Sequence, residues 1–534
     1  VALMRLGIDF GTTRTVVAAV DRGNYPVVEF SGPDGETRDW FPPLLAAGGN
    51  RRLYGWDAWQ AQQDEAYTVV RSIKRFLQDA GPNTQVEIGR QRLPLLTLLV
   101  EMMDALRRAL LEASSLSPSP GEPLEVMLGV PANANSNQRF LTTEAFRLAG
   151  FQVMGLLNEP SAASIEYGHR QRGSGRSKFR DRMLVYDLGG GTFDVSLVEV
   201  GERSHAVVAS EGIPTLGGDD FDHLLAELAL DEAGFSDDVR EGLSQSEWFR
   251  LHEECREKKE SLHPNTRRLA IDLDRVRPDW PQVSVPVAAF YEHCAPMVEE
   301  TLHAVEDLLE SQGLRGPESL EMLYVTGGGS ELPLVTRRLR EQFGRRVQRS
   351  AYTRSATAIG LAIQADAEAG YVLRDRFMRH FGVWREGDGG RTMLFDPLFA
   401  KGTELPGPGE PPLSTERAYR PVHNIGHFRY LECSHLDAQG RPSGDLMLWD
   451  DILFPFDPRL ANGAPVQPAA VEQHPVPCFG EAVERYSCDA AGVVTVSIAN
   501  RTHRYERRYR LGRWSVKDAP LVPGKRGRRP SRKS

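Results

Sequence analysis

Val185-Tyr186-Asp187-Leu188-Gly189-Gly190-Gly191-Thr192-Phe193-Asp194 is the stretch around which the chain is organised. The apolar run from Met183 to Tyr186 predicts a buried strand, with Asp187 at its end. Gly189, Gly190 and Gly191 then make a tight turn that no side chain obstructs, so a phosphate can approach the backbone N–H groups. Thr192 adds a hydroxyl donor, and strand-like alternation resumes from Phe193 to Val200, so the loop reads as the bend of a β-hairpin. Asp187 beside that bend places a carboxylate where a phosphate-bound Mg²⁺ would sit. Taken alone, the stretch also fits a glycine-rich hairpin without a ligand.

A second copy weighs against that bland reading. Arg5–Thr13 has the same order of parts: an apolar strand Leu6–Ile8, then Asp9, Phe10, Gly11, Thr12 and Thr13, then strand residues Val16–Val20. Two such hairpins, each offering an Asp and backbone donors, can clamp a polyphosphate from opposite sides. This duplication resembles the actin, sugar-kinase and heat-shock ATPase superfamily. It implies an α/β fold with a two-lobed ATPase domain.

Composition limits the alternatives. A chain of 534 residues has room for several domains with ample core, and its 40% hydrophobic and 26% charged residues are ordinary for a folded protein. The net charge of −9 argues against a whole-protein nucleic-acid binder. Five cysteines with no Cys-x-x-Cys pair argue for a reducing compartment and against structural zinc. No apolar run approaches membrane-spanning length, and the reading is of a cytoplasmic protein without a membrane partner.

Further landmarks narrow the resemblance. Ser72–Leu77 is a basic patch after a candidate edge at Tyr54–Trp59, and Leu95–Leu111 has the apolar spacing of a scaffold helix. Leu124–Val130 predicts a strand ended by Pro131, followed by a helix Asn137–Ala149 with Gly150 as its cap. Val130-Pro131-Ala132, Gln138-Arg139, Ala149-Gly150, Asn158-Glu159-Pro160-Ser161-Ala162-Ala163 and Tyr167-Gly168 together resemble the seventy-kilodalton heat-shock protein family, the DnaK-type chaperones. Sugar kinases and actin lack the Asn-Glu-Pro constellation.

The resemblance implies roles for single residues. Lys74 matches the family's catalytic lysine, and Glu159 its water- and metal-positioning glutamate. Asp9, Asp187 and Thr192 match the groups around Mg²⁺ and the γ-phosphate, and Asp194 an aspartate near a monovalent-cation (K⁺) site. Gly11, Thr12, Thr13, Gly189, Gly190 and Gly191 are the phosphate donors, and Gly217-Gly218 offer a further backbone approach with a helix opening near Asp219. Lys259 matches the ribose-binding lysine, and Gly327-Gly328-Gly329-Ser330, after a strand Leu323–Thr326, the adenosine loop. Apolar residues at 298, 302, 305, 308 and 309 mark a core-facing helical stripe. Phosphoryl transfer to water needs placement and charge neutralisation more than a covalent partner, which fits Lys74 on the γ-phosphate and Asp187 or Glu159 on the attacking water.

The adenine pocket departs from the family. Two arginines that stack on the base correspond to Glu260 and Glu331, and a family glutamate corresponds to Arg256. A polar Arg256–Glu260–Glu331 cluster, with Arg256 and Glu260 paired at i,i+4, is the expected replacement; Arg337 or Arg338 serving instead is the alternative. Weaker ATP binding or altered base preference is the expected consequence.

The resulting domain scheme is an ATPase domain at 1–369 (lobes at about 1–180 and 181–369), a linker at 370–380, a β-rich substrate-binding-like domain at 381–516 and a basic, disordered tail at 517–534. Leu398–Pro406 and the hairpin around Asp489-Ala490-Ala491-Gly492 resemble the family's β-domain, which holds extended peptides; the family's helical lid finds no counterpart. The implied activity is a slow, Mg²⁺-dependent ATPase that binds ATP and ADP and works as a chaperone on unfolded or extended polypeptide. A J-domain co-chaperone and a nucleotide exchange factor are the implied partners, and nucleic acid enters only through the basic tail. The competing reading is a degenerate nucleotide-sensing scaffold with a dedicated protein partner.

Overall fold

The computed structural model describes residues 4–77, 80, 84–89, 91–118, 121–173, 182–314, 316, 319–371, 376–387, 392–407, 410–461, 467–490 and 492–511. Linker positions 372–375, loop positions 174–180 and the tail 517–534 lie outside the described residues. The chain divides into two compact units, Val1–Arg379 with Lys401–Glu410, and His380–Ala400 with Pro411–Ser534.

In the first unit each Asp-Gly hairpin lies within its own sheet. Met4–Phe10 and Thr15–Ala19 form the first, with Asp9 opposite Val16; Arg182–Leu188 and Phe193–Val200 form the second, with Asp187 opposite Asp194. The first sheet runs Gln152–Asn158, Leu124–Val130, Met4–Phe10, Thr15–Ala19. The second runs His205–Ile213, Phe193–Val200, Arg182–Leu188, Leu323–Thr326, Val347–Arg349. In both sheets the strand that carries the Asp has a parallel neighbour on its other side, Leu124–Val130 or Leu323–Thr326. Parallel pairing requires long crossovers, and these carry the scaffold helices.

Local sequence explains several of those helices. Ser136–Leu148 starts at a capping box in which Asn135 accepts from the Gln138 N–H and Gln138 from the Asn135 N–H. Val287–Ser311 buries Val298, Leu302, Val305, Leu308 and Leu309, the stripe read from the sequence. Glu159–Gly173 and Ala356–Ala365 pack through small residues: a Cβ at Gly360 would stand 1.8 Å from the Ala162 carbonyl oxygen. The candidate edge at Tyr54–Trp59 is corrected. The strand Arg51–Tyr54 ends there, and a short helix, Trp56–Ala61, buries Ala58 and Ala61 after the positive-φ Gly55.

The second unit consists of two four-stranded antiparallel sheets. One runs Thr392–Phe399, His380–Gly387, Ile425–Leu436, Pro442–Pro455; the other Leu413–Tyr419, Ala482–Cys488, Val494–Asn500, Tyr505–Arg510. Phe381, Tyr430, Phe454, Tyr486 and Ile498 are buried, and the hydroxyls of Tyr430 and Tyr486 meet at 3.3 Å. Asp489 closes its hairpin by accepting from the Val493 N–H at 2.9 Å.

Candidate functional site

The two hairpin bends face each other across one cleft in the first unit. Asp9, Gly11, Thr12 and Thr13 line it together with Asp187, Gly189, Gly190, Thr192 and Asp194. The bends touch: a Cβ at Gly190 would fall 1.7 Å from the Thr13 hydroxyl oxygen, so only glycine fits there. Lys74, from the short 3₁₀ turn Ile73–Leu77, and Glu159, opening its helix, enter the same cleft and pair at 2.8 Å. Gly218, Lys259, Gly327 and Gly328 also line it.

Two of the expected ligand-facing glycines do not. The missing Cβ of Gly217 faces the Gly190 backbone, and that of Gly191 faces Arg75 and Thr12. The helix Gly218–Glu232 differs from expectation as well, because its first donors are engaged. Gly218 N–H donates to Gly189 O at 2.9 Å and Asp219 N–H to Gly190 O at 2.7 Å, so the helix start braces the bend.

Electrostatics in the cleft are unbalanced. Burial, then the Glu159 charge, pushes Asp9 up to about 7 against the pull of Lys74. Asp194 is pushed up to about 7 by the same two causes, and Asp187 lies well above the usual carboxylate range through burial and repulsion from Glu159, Asp9 and Asp194. Burial alone would depress Lys74, but Glu159 and Asp9 outweigh it and raise its pKa. At this end of the cleft Asp9, Asp187, Asp194 and Glu159 thus face the Lys74 ammonium, which fits a divalent cation arriving with its own anionic ligand. Among the described residues no three His, Cys, Asp or Glu side chains converge closely enough to hold an ion by themselves. Mg²⁺ bound through one or two carboxylates, waters and phosphate oxygens suits such a site, and Asp9 and Asp187 are carboxylates there that could hold it.

Beside the Gly327–Gly329 turn the expected Arg256–Glu260–Glu331 cluster is corrected. Arg256 pairs with Glu253 at 2.8 Å and with Asp219 and Asp222, and Lys259 lies 2.8 Å from Asp222. Glu260 pairs instead with Arg14 and Arg354, and Arg354 also pairs with Glu331. Arg337 stacks on Tyr291 and Arg338 pairs with Glu299, both away from this cleft. Burial raises the pKa of Glu260 and Glu331, but the arginines outweigh it and hold both carboxylates below the ordinary value. Arg14 and Arg354 escaped the sequence reading. Arg14 directly follows the Thr12-Thr13 bend, which is a usable signal; Arg354 belongs to no motif.

A family model described as Hsp70 protein matches residues 121–378. The chaperone protein HscA of Klebsiella pneumoniae is 34% identical over 379 residues, 68% of this chain and 58% of that protein. An HscA homolog of Chromobacterium violaceum is 33% identical over 70% of this chain and 60% of its own, and HscA of Serratia proteamaculans 35% over 68% and 58%. The chain belongs to the Hsp70 family. It spans under two thirds of the length of these Hsp70 relatives. Its two-lobed α/β unit is that of an Hsp70 ATPase domain, and an all-β unit of antiparallel sheets accompanies it. Among the described residues no helix is long and apolar enough to cross a membrane.

Proposed function

We propose that this chain is a Mg²⁺-dependent ATPase of the chaperone type, in which ATP binding and slow hydrolysis in the cleft change how the β-rich unit holds unfolded or extended polypeptide. The observation that carries the reading is the meeting of both Asp-Gly hairpin bends with the Lys74–Glu159 pair in one cleft. Thr12, Thr13, Gly190 and Thr192 bind the phosphates through backbone and hydroxyl donors, with Lys259, Gly327 and Gly328 on the nucleoside. Lys74 lies against the γ-phosphate, and Glu159, oriented by Lys74, accepts a hydrogen bond from the attacking water. Asp9 and Asp187 would hold Mg²⁺, which when bound would neutralise charge on the phosphates. Asp194 holds a monovalent cation such as K⁺ nearby. The domain scheme of an ATPase at 1–369, a linker at 370–380 and a substrate-binding β-domain at 381–516 belongs to this proposal, as do a J-domain co-chaperone and a nucleotide exchanger as partners.

The test is single-turnover hydrolysis of Mg-ATP by the full chain, with and without an unfolded apolar peptide. Lys74→Ala is expected to lower the rate by at least about 100-fold, the scale of removing one transition-state donor. A peptide-dependent rate that vanishes in this variant supports the reading. ATP that binds but does not turn over, or turnover that survives in Lys74→Ala, overturns it.

A further inference from the structure

Charged side chains beside the Gly327–Gly329 turn satisfy one another rather than waiting for a ligand. Arg354 donates from Nε and Nη2 to Glu331 Oε2 at 2.9 and 2.6 Å, and from Nη1 to Glu260 Oε2 at 2.8 Å. The second Glu260 oxygen accepts from Arg14 at 2.6 Å, and the second Glu331 oxygen from the Thr353 hydroxyl at 2.5 Å. Arg256 and Lys259 are likewise held by carboxylates of their own lobe.

Two consequences follow from this pairing. A guanidinium gripped on both edges by carboxylates from two different elements keeps a fixed plane and has only its face left to offer. The Arg354 side chain is 30% exposed and lines the cleft together with Gly327, Gly328 and Gly329. The second consequence concerns readout. Telling adenine from guanine requires donors and acceptors aimed at the base edge, and a site so built rejects the wrong base by several orders of magnitude. Here Glu260 and Glu331 would each have to release an arginine to read an amino group. Stacking, by contrast, is available to every purine.

We infer that the cleft takes purine nucleotides by stacking the base on Arg354 without reading its edge, so that adenine and guanine nucleotides bind nearly alike. This rests on the nucleotide reading above. The experiment is calorimetric titration of the full chain with Mg-ADP, Mg-GDP and Mg-pyrophosphate, repeated with Arg354→Lys, which keeps the charge between the two glutamates and loses the flat face.

ADP and GDP are expected within about fivefold of each other. Arg354→Lys is expected to weaken both about tenfold while leaving pyrophosphate within about twofold. A preference for either base beyond about 100-fold overturns the inference in the unsubstituted chain alone. So does an Arg354→Lys chain that binds both nucleotides as before, or one that loses pyrophosphate in proportion. If ADP, GDP and pyrophosphate all fail to bind the unsubstituted chain, it is the nucleotide reading itself that fails.

Discussion

His205 carries a pH limit that can be worked out from one side chain. It is 1% exposed, and its Nδ1 lies 2.8 Å from the Ser164 hydroxyl oxygen. Burial, then the Arg172 charge, pushes it down to about 3 from an ordinary 6.5. The folded state therefore keeps this ring neutral where the unfolded chain protonates it. Its contribution is fully present above pH 6.5 and drains away as the pH falls toward 3. At about 1.4 kcal/mol per pH unit, the parent should lose about 2 kcal/mol through this group between pH 6.5 and 5. His205→Gln has no such proton to take up. Urea midpoints at the two pH values should show the variant losing less stability than the parent; an equal loss in both would remove His205 as the cause.

At the level of elements, Glu159–Gly173 and Ala356–Ala365 approach each other closely in the ATPase unit. Gly360→Ala would set a methyl 1.8 Å from a backbone carbonyl oxygen, and backbone cannot swing aside as a long side chain can. We expect a loss of about 3 kcal/mol, the upper range for overpacking, read as a lowered denaturant midpoint. The small residues at 162, 163 and 164 were a readable sign of that packing, as was the apolar stripe in Val287–Ser311. Local sequence sufficed there because period and residue size point to one arrangement. It failed at Trp56–Ala61, where one turn and a half of helix is too short for a period to show. It also failed across Ile425–Leu436 and Pro442–Pro455. Tyr430 to Cys433 are buried in succession, so the alternation that marks a strand is lost.

At the scale of the whole molecule, the end of the cleft where the two Asp-Gly bends meet was legible because those bends are contiguous, repeated motifs. Arg354 was not, because its partners Glu260 and Glu331 come from separate elements and only the tertiary fold brings them together. The β-rich unit hides a similar arrangement. Arg385 grips Glu484 at 3.1 and 2.8 Å and Asp396 at 2.6 Å, Tyr486 also donates to Glu484, and Glu484 is 0% exposed. Removing one partner of such a pair strands a buried charge, whereas replacing both can be nearly neutral. Arg385 is 24% exposed on its side chain, so Arg385→Met should cost about 3 kcal/mol, the low end for a broken buried pair. Adding Glu484→Gln should return most of it.

A chain of two compact units need not unfold in one step, so the two transitions must be told apart. A ligand of the cleft raises only the transition of the unit that binds it, and excess Mg-ADP supplies that label. In calorimetric scans Arg385→Met should lower the transition that Mg-ADP leaves unmoved, and the double variant should bring it back. A single variant that lowers nothing would mean that Tyr486 holds Glu484 and the arginine is surplus; a double variant no better than the single one would mean that the loss does not come from a stranded Glu484 charge.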